Sequence, residues 1–171
     1  MNIIFETERL FVRPYTMDDL DLFYRLNGDE EVMRYIRPAQ TKAKSKDFLK
    51  KIIKEYSEQP GLGRWAMLRK ADQEFVGSFA VIPIVNSGRI QLGYALLKEY
   101  WGSGYASESV KEGLNYAFCQ YGLKEIAGIT EAANVISQKV LLKNGFVFES
   151  SFREEKKEMN LYNCKRQFVN G

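Results

Sequence analysis

The stretch Lys98-Glu99-Tyr100-Trp101-Gly102-Ser103-Gly104-Tyr105-Ala106 joins two periodicities. Before it, Ile90, Leu92, Tyr94 and Leu96 alternate with less apolar residues, as on a half-buried strand. After it, Ala106, Val110, Leu114, Ala117, Phe118 and Tyr121 recur at helical spacing, and Gly122 is a natural stop. A glycine-rich turn between a strand and a helix suits an anion. Glycines let the backbone approach a phosphate, and the free amides of the helix N-terminus converge on it with a favourable dipole. A plain strand-to-helix turn with two glycines at positive φ has the same sequence. A dinucleotide fingerprint is absent, because Ser107 stands where GxGxxG needs its third glycine, and no GxxxxGK[ST] occurs. What remains is a diphosphate-bearing cofactor held mainly by backbone amides.

Upstream, Phe5 to Arg13 reads as a strand whose pairing Pro14 ends, and Thr16, Asp18 and Asp19 open a helix with Leu20, Phe23, Tyr24 and Leu26 as its stripe. A short helical piece carries Val32, Met33 and Ile36, and Thr41 begins a longer helix burying Phe48, Leu49, Ile52, Ile53 and Tyr56. Trp65–Leu68, Phe75–Ile84 and Ile90–Leu96 predict three sequential antiparallel strands, with turns at Ala71-Asp72-Gln73 and Asn86-Ser87-Gly88. Downstream come a strand over Ile126–Thr130, a helix near Ser137–Lys143, a strand over Phe146–Phe152 and a last strand with Met159, Leu161 and Cys164. No repeat or linker interrupts this order, so residues 1–171 read as a single domain of α/β or α+β class.

Composition narrows the chemistry. The chain has 171 residues, 45% of them apolar and 27% charged, which describes a soluble folded protein. It contains no histidine, so Ser-His-Asp and Cys-His nucleophiles, HExxH metalloproteases and Cys2His2 fingers are excluded together. Cys119 and Cys164 form neither a CxxC pair nor a zinc set; they read as reduced thiols of a cytoplasmic protein, and no metal is expected. No apolar run reaches the ~20 residues of a membrane span, and Glu6 precedes any signal-peptide core. A net charge of +3 does not mark a nucleic-acid binder, though it leaves room for a local anion site.

A second signal is Asn134-Val135-Ile136-Ser137, followed by Val140-Leu141-Leu142-Lys143-Asn144-Gly145-Phe146. Ser137 is positioned to cap a helix that ends at Asn144-Gly145, which by itself is an ordinary short helix between strands.

Taken in order, these strings resemble a known family, the GCN5-related N-acetyltransferases (GNAT), and within it the RimJ/RimL-like branch of ribosomal-protein N-acetyltransferases. Glu6-Thr7-Glu8-Arg9-Leu10 with Arg13-Pro14 is similar to the branch's ETERLxLRP opening, Val76-Gly77 to its IG strand and Leu92-Gly93-Tyr94 to IGY. Trp101 to Ser109 resembles WGxGYAxEA, and Asn134 to Ser150 resembles NxxSxxVLxKxGFxxEG. The resemblance covers nearly the whole chain. It implies a central mixed, mostly antiparallel sheet splayed into a V with helices on both faces, and acetyl-CoA as cosubstrate. The pantetheine arm is then expected at the backbone of Leu96 and Leu97. The pyrophosphate is expected on the loop of Trp101, Gly102, Ser103, Gly104, Tyr105 and Ala106, with Asn134 near the pantetheine and Lys143 near the phosphates.

The implied reaction is acetyl transfer to a primary amine by direct attack. It needs a neutral amine, donors for the developing oxyanion and a proton for the leaving thiolate. Many relatives place a tyrosine acid where this chain has Leu141; the branch suggests Ser137 as the substitute, with helix capping as its other reading. The glutamate that often precedes IGY is Gln91 here, which leaves Glu131 or a water chain to a backbone carbonyl as base. The segments expected over the acceptor pocket, Asn27 to Lys46 and Glu154 to Tyr162, carry no motif, so a protein N-terminus, an amino sugar, a polyamine and an antibiotic amine all remain open. Acid-deficient motifs also allow a non-catalytic acyl-CoA-binding regulatory module. A monomer or a homodimer is expected, with no nucleic-acid or membrane partner.

Overall fold

The structure is a computed structural model and describes residues 1–167; the last four residues of the expected 1–171 domain lie outside the described residues. A single eight-stranded sheet runs in the order β1-β2-β3-β4-β5-β6-β8-β7. Its first half is an antiparallel series: β1 (Phe5–Glu6), β2 (Leu10–Pro14), β3 (Gly63–Arg69), β4 (Phe75–Pro83) and β5 (Ile90–Leu96). β6 (Glu125–Glu131) then joins β5 in parallel, and β8 (Lys157–Lys165) and β7 (Val147–Glu154) complete the sheet antiparallel to it. The three expected sequential strands are β3, β4 and β5.

Helices cover both faces. α1 (Leu20–Asn27), α2 (Glu30–Met33) and α3 (Lys42–Glu58) bury Phe23, Leu26, Val32, Met33, Leu49 and Ile52 against Phe11, Ala66, Leu68 and Phe75. On the other face, α4 (Tyr105–Asn115) and α5 (Val135–Lys143) set Tyr105, Val110, Leu114 and Leu141 against Val76, Phe79, Leu92 and Leu96. Leu92 and Leu96 therefore look towards α4, while Ala95 and Leu97 look towards α1–α3, the alternation a pleated strand requires.

Four expectations change in detail. Phe5 to Arg13 is two strands, because the Thr7 hydroxyl accepts from Leu10 N–H at 2.8 Å and Thr7 N–H donates to Leu10 C=O at 2.8 Å, folding the chain back on itself. Pro14 stays in register opposite Trp65, at the strand's last position, where a missing N–H is tolerated. Asp19 is buried rather than merely near a helix dipole: it takes Arg13 in a bidentate pair at 2.8 and 2.9 Å and accepts from Thr16 N–H at 2.8 Å. The helix after Gly104 widens to π geometry over Tyr116–Gln120 before stopping at Gly122 (φ +87°).

Gly113 shows how tightly α4 lies on the sheet. A Cβ there would stand 2.2 Å from Cζ of Phe79, which is fully buried and held edge-on by Phe5 at 5.3 Å. Gly113→Ala is therefore expected to lower stability by about 1–3 kcal/mol in denaturant melts, overpacking outweighing the better helix propensity; a stabilised variant would show that Phe79 yields freely.

Candidate active site

β5 and β6 are in register at two positions, Gln91 with Ala127 and Leu92 with Gly128, and then part. Gly93–Leu96 and Ile129–Glu131 form the arms of the resulting V. Leu97 N–H donates to Val76 C=O at 3.0 Å, which fixes the ladder's phase: odd residues of β5 turn their backbone groups to β4, even residues to β6. Beyond Leu92, then, the N–H and C=O of Tyr94 and Leu96 face the V. The Leu96 carbonyl accepts from the Trp101 indole Nε1 at 2.9 Å. Both backbone groups of Leu97 are engaged, its carbonyl by Tyr100 N–H at 3.0 Å. The groups open to a ligand are thus those of Tyr94 and the amide of Leu96, one step earlier than expected.

The loop after β5 leads into α4. Gly102 and Gly104 both adopt positive φ, +71° and +83°, and a Cβ at Gly102 would meet nothing within 4 Å, so an open surface lies above it. The first bond of α4 is Glu108 N–H to Gly104 C=O at 3.0 Å, which leaves the amides of Tyr105, Ala106 and Ser107 without helical partners. Trp101, Gly102, Ser103 and Gly104 are exposed, and Tyr105 is buried.

This loop is braced by the turn at the start of the chain. Arg9 Nη2 donates to Ser103 C=O at 2.9 Å, Arg9 Nε to Glu108 Oε2 at 2.7 Å, and the guanidinium lies 4.2 Å from the centroid of the Tyr105 ring. Glu108 Oε1 accepts from Arg9 N–H at 2.8 Å and from the Thr7 hydroxyl at 2.5 Å. Burial opposes ionisation of Glu108, but donors from Thr7 and Arg9 prevail and hold its pKa below the ordinary glutamate value. Holding the Ser103 carbonyl aside, Arg9 keeps acceptor oxygen away from a surface of donors. The spacing between residues 7–9 and 103–108 hides this brace from local sequence patterns.

On the far arm, Asn134 caps α5: its Oδ1 accepts from Ser137 N–H at 3.2 Å. Ser137 is therefore the third residue of the helix and not its cap, and its hydroxyl is used elsewhere. It accepts from the Tyr94 phenol at 3.3 Å, across the space between β5 and α5. Burial raises the Tyr94 pKa above its usual value of 10, with Ser137 opposing, so the phenol stays protonated at neutral pH. Leu141, at the position of the relatives' tyrosine, is 3% exposed and packs against the Gly128–Phe146 floor. Glu131 ends β6 with its carboxylate 3.1 Å from Lys157 Nζ. Lys143 is exposed at the end of α5, and its neighbour Asn144 donates from Nδ2 to Ser107 Oγ at 3.1 Å, which brings this helix end to the first turn of α4. Among the described residues no group of three or more Cys, Asp or Glu is placed to hold a metal, and no helix is long and apolar enough to cross a membrane.

A parted parallel pair, an amide-rich loop at its open end and positive-φ glycines with free space fit the pantetheine arm and pyrophosphate of a coenzyme A thioester. The chain is similar to known proteins in both sequence and fold. Residues 9–147 match the family described as Acetyltransferase (GNAT) domain. The chain is 31% identical over 155 residues to the uncharacterised N-acetyltransferase p20 of Bacillus licheniformis, covering 88% of this chain and 86% of p20. Among solved structures, a GNAT-family acetyltransferase from Bacillus anthracis superposes with a TM-score of 0.81 at 22% identity, covering 96% of this chain and 98% of that one. RimL, a ribosomal L7/L12 alpha-N-protein acetyltransferase in complex with coenzyme A, has the same fold at a TM-score of 0.80 and 15% identity, covering 96% and 98%. The chain belongs to the GNAT acetyltransferase family and is an acetyl-CoA-dependent acetyltransferase.

Gly104→Val is expected to weaken acetyl-CoA at least tenfold in calorimetric titration while the protein still folds, since valine at φ +83° forces the loop out of shape. Arg9→Met should do the same more mildly by freeing the Ser103 carbonyl; unchanged affinity in both would mean that the loop does not hold the cosubstrate.

Proposed function

We propose that the chain transfers the acetyl group of acetyl-CoA to a primary amine by direct attack, with no acyl-enzyme. The observation that carries this reading is the Tyr94–Ser137 hydroxyl pair set inside the V formed by β5 and β6. Bound acetyl-CoA supplies an activated acetyl thioester. The amides of Gly102, Ser103, Gly104, Tyr105 and Ala106, below the Trp101 strut, receive its pyrophosphate, with Lys143 adding positive charge beside them. The backbone of Tyr94 and Leu96 takes the pantetheine as a further strand would, and Asn134 fixes the opposite lip by capping α5.

Ser137 donates to the leaving sulfur and is itself resupplied by the Tyr94 phenol, whose raised pKa makes it a donor rather than a base. Glu131, at the tip of the other arm, receives the amine's proton through water after exchanging Lys157 for it. The acceptor is a protein N-terminus or a small amine. RimL's activity on a ribosomal protein belongs to a chain sharing the fold at 15% identity, so the RimJ/RimL-like assignment rests on the ETERL, WGSGYA and NxxS strings. Both cysteines are unpaired, which supports a reducing, cytoplasmic setting. A second reading, a non-catalytic acyl-CoA-binding module, is favoured by the buried Leu141 and by Gln91 in place of a carboxylate.

An amine screen by free-thiol release separates the two: turnover with any primary amine supports the enzyme, and binding without turnover supports the module. Ser137→Ala and Tyr94→Phe are each expected to lower kcat about 10–100-fold with little change in acetyl-CoA affinity. The alkaline limb set by this donor should lie above pH 10. An unaltered rate in both variants would remove the hydroxyl pair from the mechanism.

A further inference from the structure

The α1–α3 face of the sheet holds two arginines that form no ion pair among the described residues. Arg64 is the second residue of β3, and Arg37 lies in the segment between α2 and α3; both are half-buried. Their guanidinium carbons stand 5.4 and 5.1 Å from the centroid of the same Phe48 ring. Arg37 Nη1 donates to Asn27 Oδ1 at 2.7 Å and contacts Met33 Sδ at 3.8 Å, both neutral partners. Neither arginine is in an ion pair among the described residues; Glu55, the acid that acts on Arg64 electrostatically, is paired instead with Lys51 at 3.8 Å. Burial pushes the Arg37 pKa down to about 10, with Arg64 lowering it further, and burial lowers Arg64 as well. The Tyr15 hydroxyl on this same face is buried with no hydrogen-bond partner.

Half-buried like charges without an ion-paired acid are costly unless something completes them. The contrast with Arg13 is local: on the same face it has its own bidentate carboxylate, Asp19. The arginines also stand in line with the opening. Arg64 is registered on Ala80, and Ala80 on Gly93, where β5 turns away from β6. By the alternation of β5, Gly93 faces α1–α3, and a Cβ there would meet nothing within 4 Å, so its face is open. Strands lie about 4.8 Å apart, which puts the Arg64 Cα roughly 10 Å from that of Gly93.

We infer that Arg37 and Arg64 form the anion subsite of the acceptor pocket, so that the acceptor is a primary amine carrying a carboxylate some 6–10 Å from its nitrogen, a span set by the strand spacing. The amine reaches the thioester at the opened part of β5, and the guanidiniums, held flat by Phe48, grip the far end. This inference rests on the acetyltransfer reading for the identity of the pocket.

The test compares 6-aminohexanoate and the tripeptide Gly-Gly-Gly with their neutral amides and with hexylamine, by free-thiol release from acetyl-CoA. The carboxylates should give at least tenfold higher kcat/KM. Arg64→Gln and Arg37→Gln, checked for an unchanged melt, should erase that preference through KM while the neutral amines react as before. Equal use of charged and neutral amines, or a preference surviving both substitutions, overturns the subsite but leaves acetyl transfer standing. If no amine turns over, 6-aminohexanoate is titrated calorimetrically into the protein saturated with coenzyme A. Binding lost in Arg64→Gln supports the subsite, and no binding, or binding indifferent to the substitution, overturns it. Coenzyme A binding in the same experiment reports on the cleft independently.

Discussion

Two adjacent strands that stop bonding to one another in the interior of a sheet are the constraint on which this molecule depends. Backbone N–H and C=O groups away from water must be paired. β5 and β6 nevertheless abandon each other after Leu92 and Gly128. The neighbouring elements relieve this only in part. The Trp101 indole takes the Leu96 carbonyl, the 3₁₀ turn over Lys98–Tyr100 absorbs Leu97, and Asn134 closes the start of α5 on the other arm. What is left are the N–H and C=O of Tyr94 and the N–H of Leu96, the groups that the proposed pantetheine arm would satisfy. Affinity for such an arm is thus the complement of a defect in the sheet.

The parting also gives the two faces separate tasks. On the α4–α5 face it lets the Tyr94 and Ser137 hydroxyls meet where the strands no longer cover the gap. On the α1–α3 face it leaves Gly93 open, two strands from Arg64. The proposed direct attack would bring donor and acceptor to one point of β5 from these two sides.

Much of this was legible in the sequence because it is local. The pattern at residues 90–121 reports the strand, glycine turn and helix that β5 and α4 form, and period-two and period-3.6 patterns locate the other strands and helices. What escaped is non-local or competitive. Ser137 looks like a cap because serine is a good one; Asn134 wins the position, since its carbonyl reaches the Ser137 amide, and only that outcome frees the serine hydroxyl. Tyr94 alternates like a half-buried strand residue, and no periodicity shows that its hydroxyl donates to Ser137. The Arg9–Glu108 brace and the Arg37–Arg64 pair each unite segments that no periodicity links. Phe5 to Arg13 read as one strand because the Thr7 turn interrupts the alternation for only three residues.

The brace between residues 7–9 and 103–108 also orders events in time. The phosphate loop takes its shape from a segment about a hundred residues earlier, with the whole antiparallel series between them. Contacts of such separation form late, after the intervening strands have zipped, because the entropy of closing so long a loop is otherwise uncompensated. On the ribosome the first turn waits through most of synthesis for its partner to emerge. The turn and the loop therefore reach their final shape only after the strands between them have formed, and Asn134 and Ser137 emerge later still.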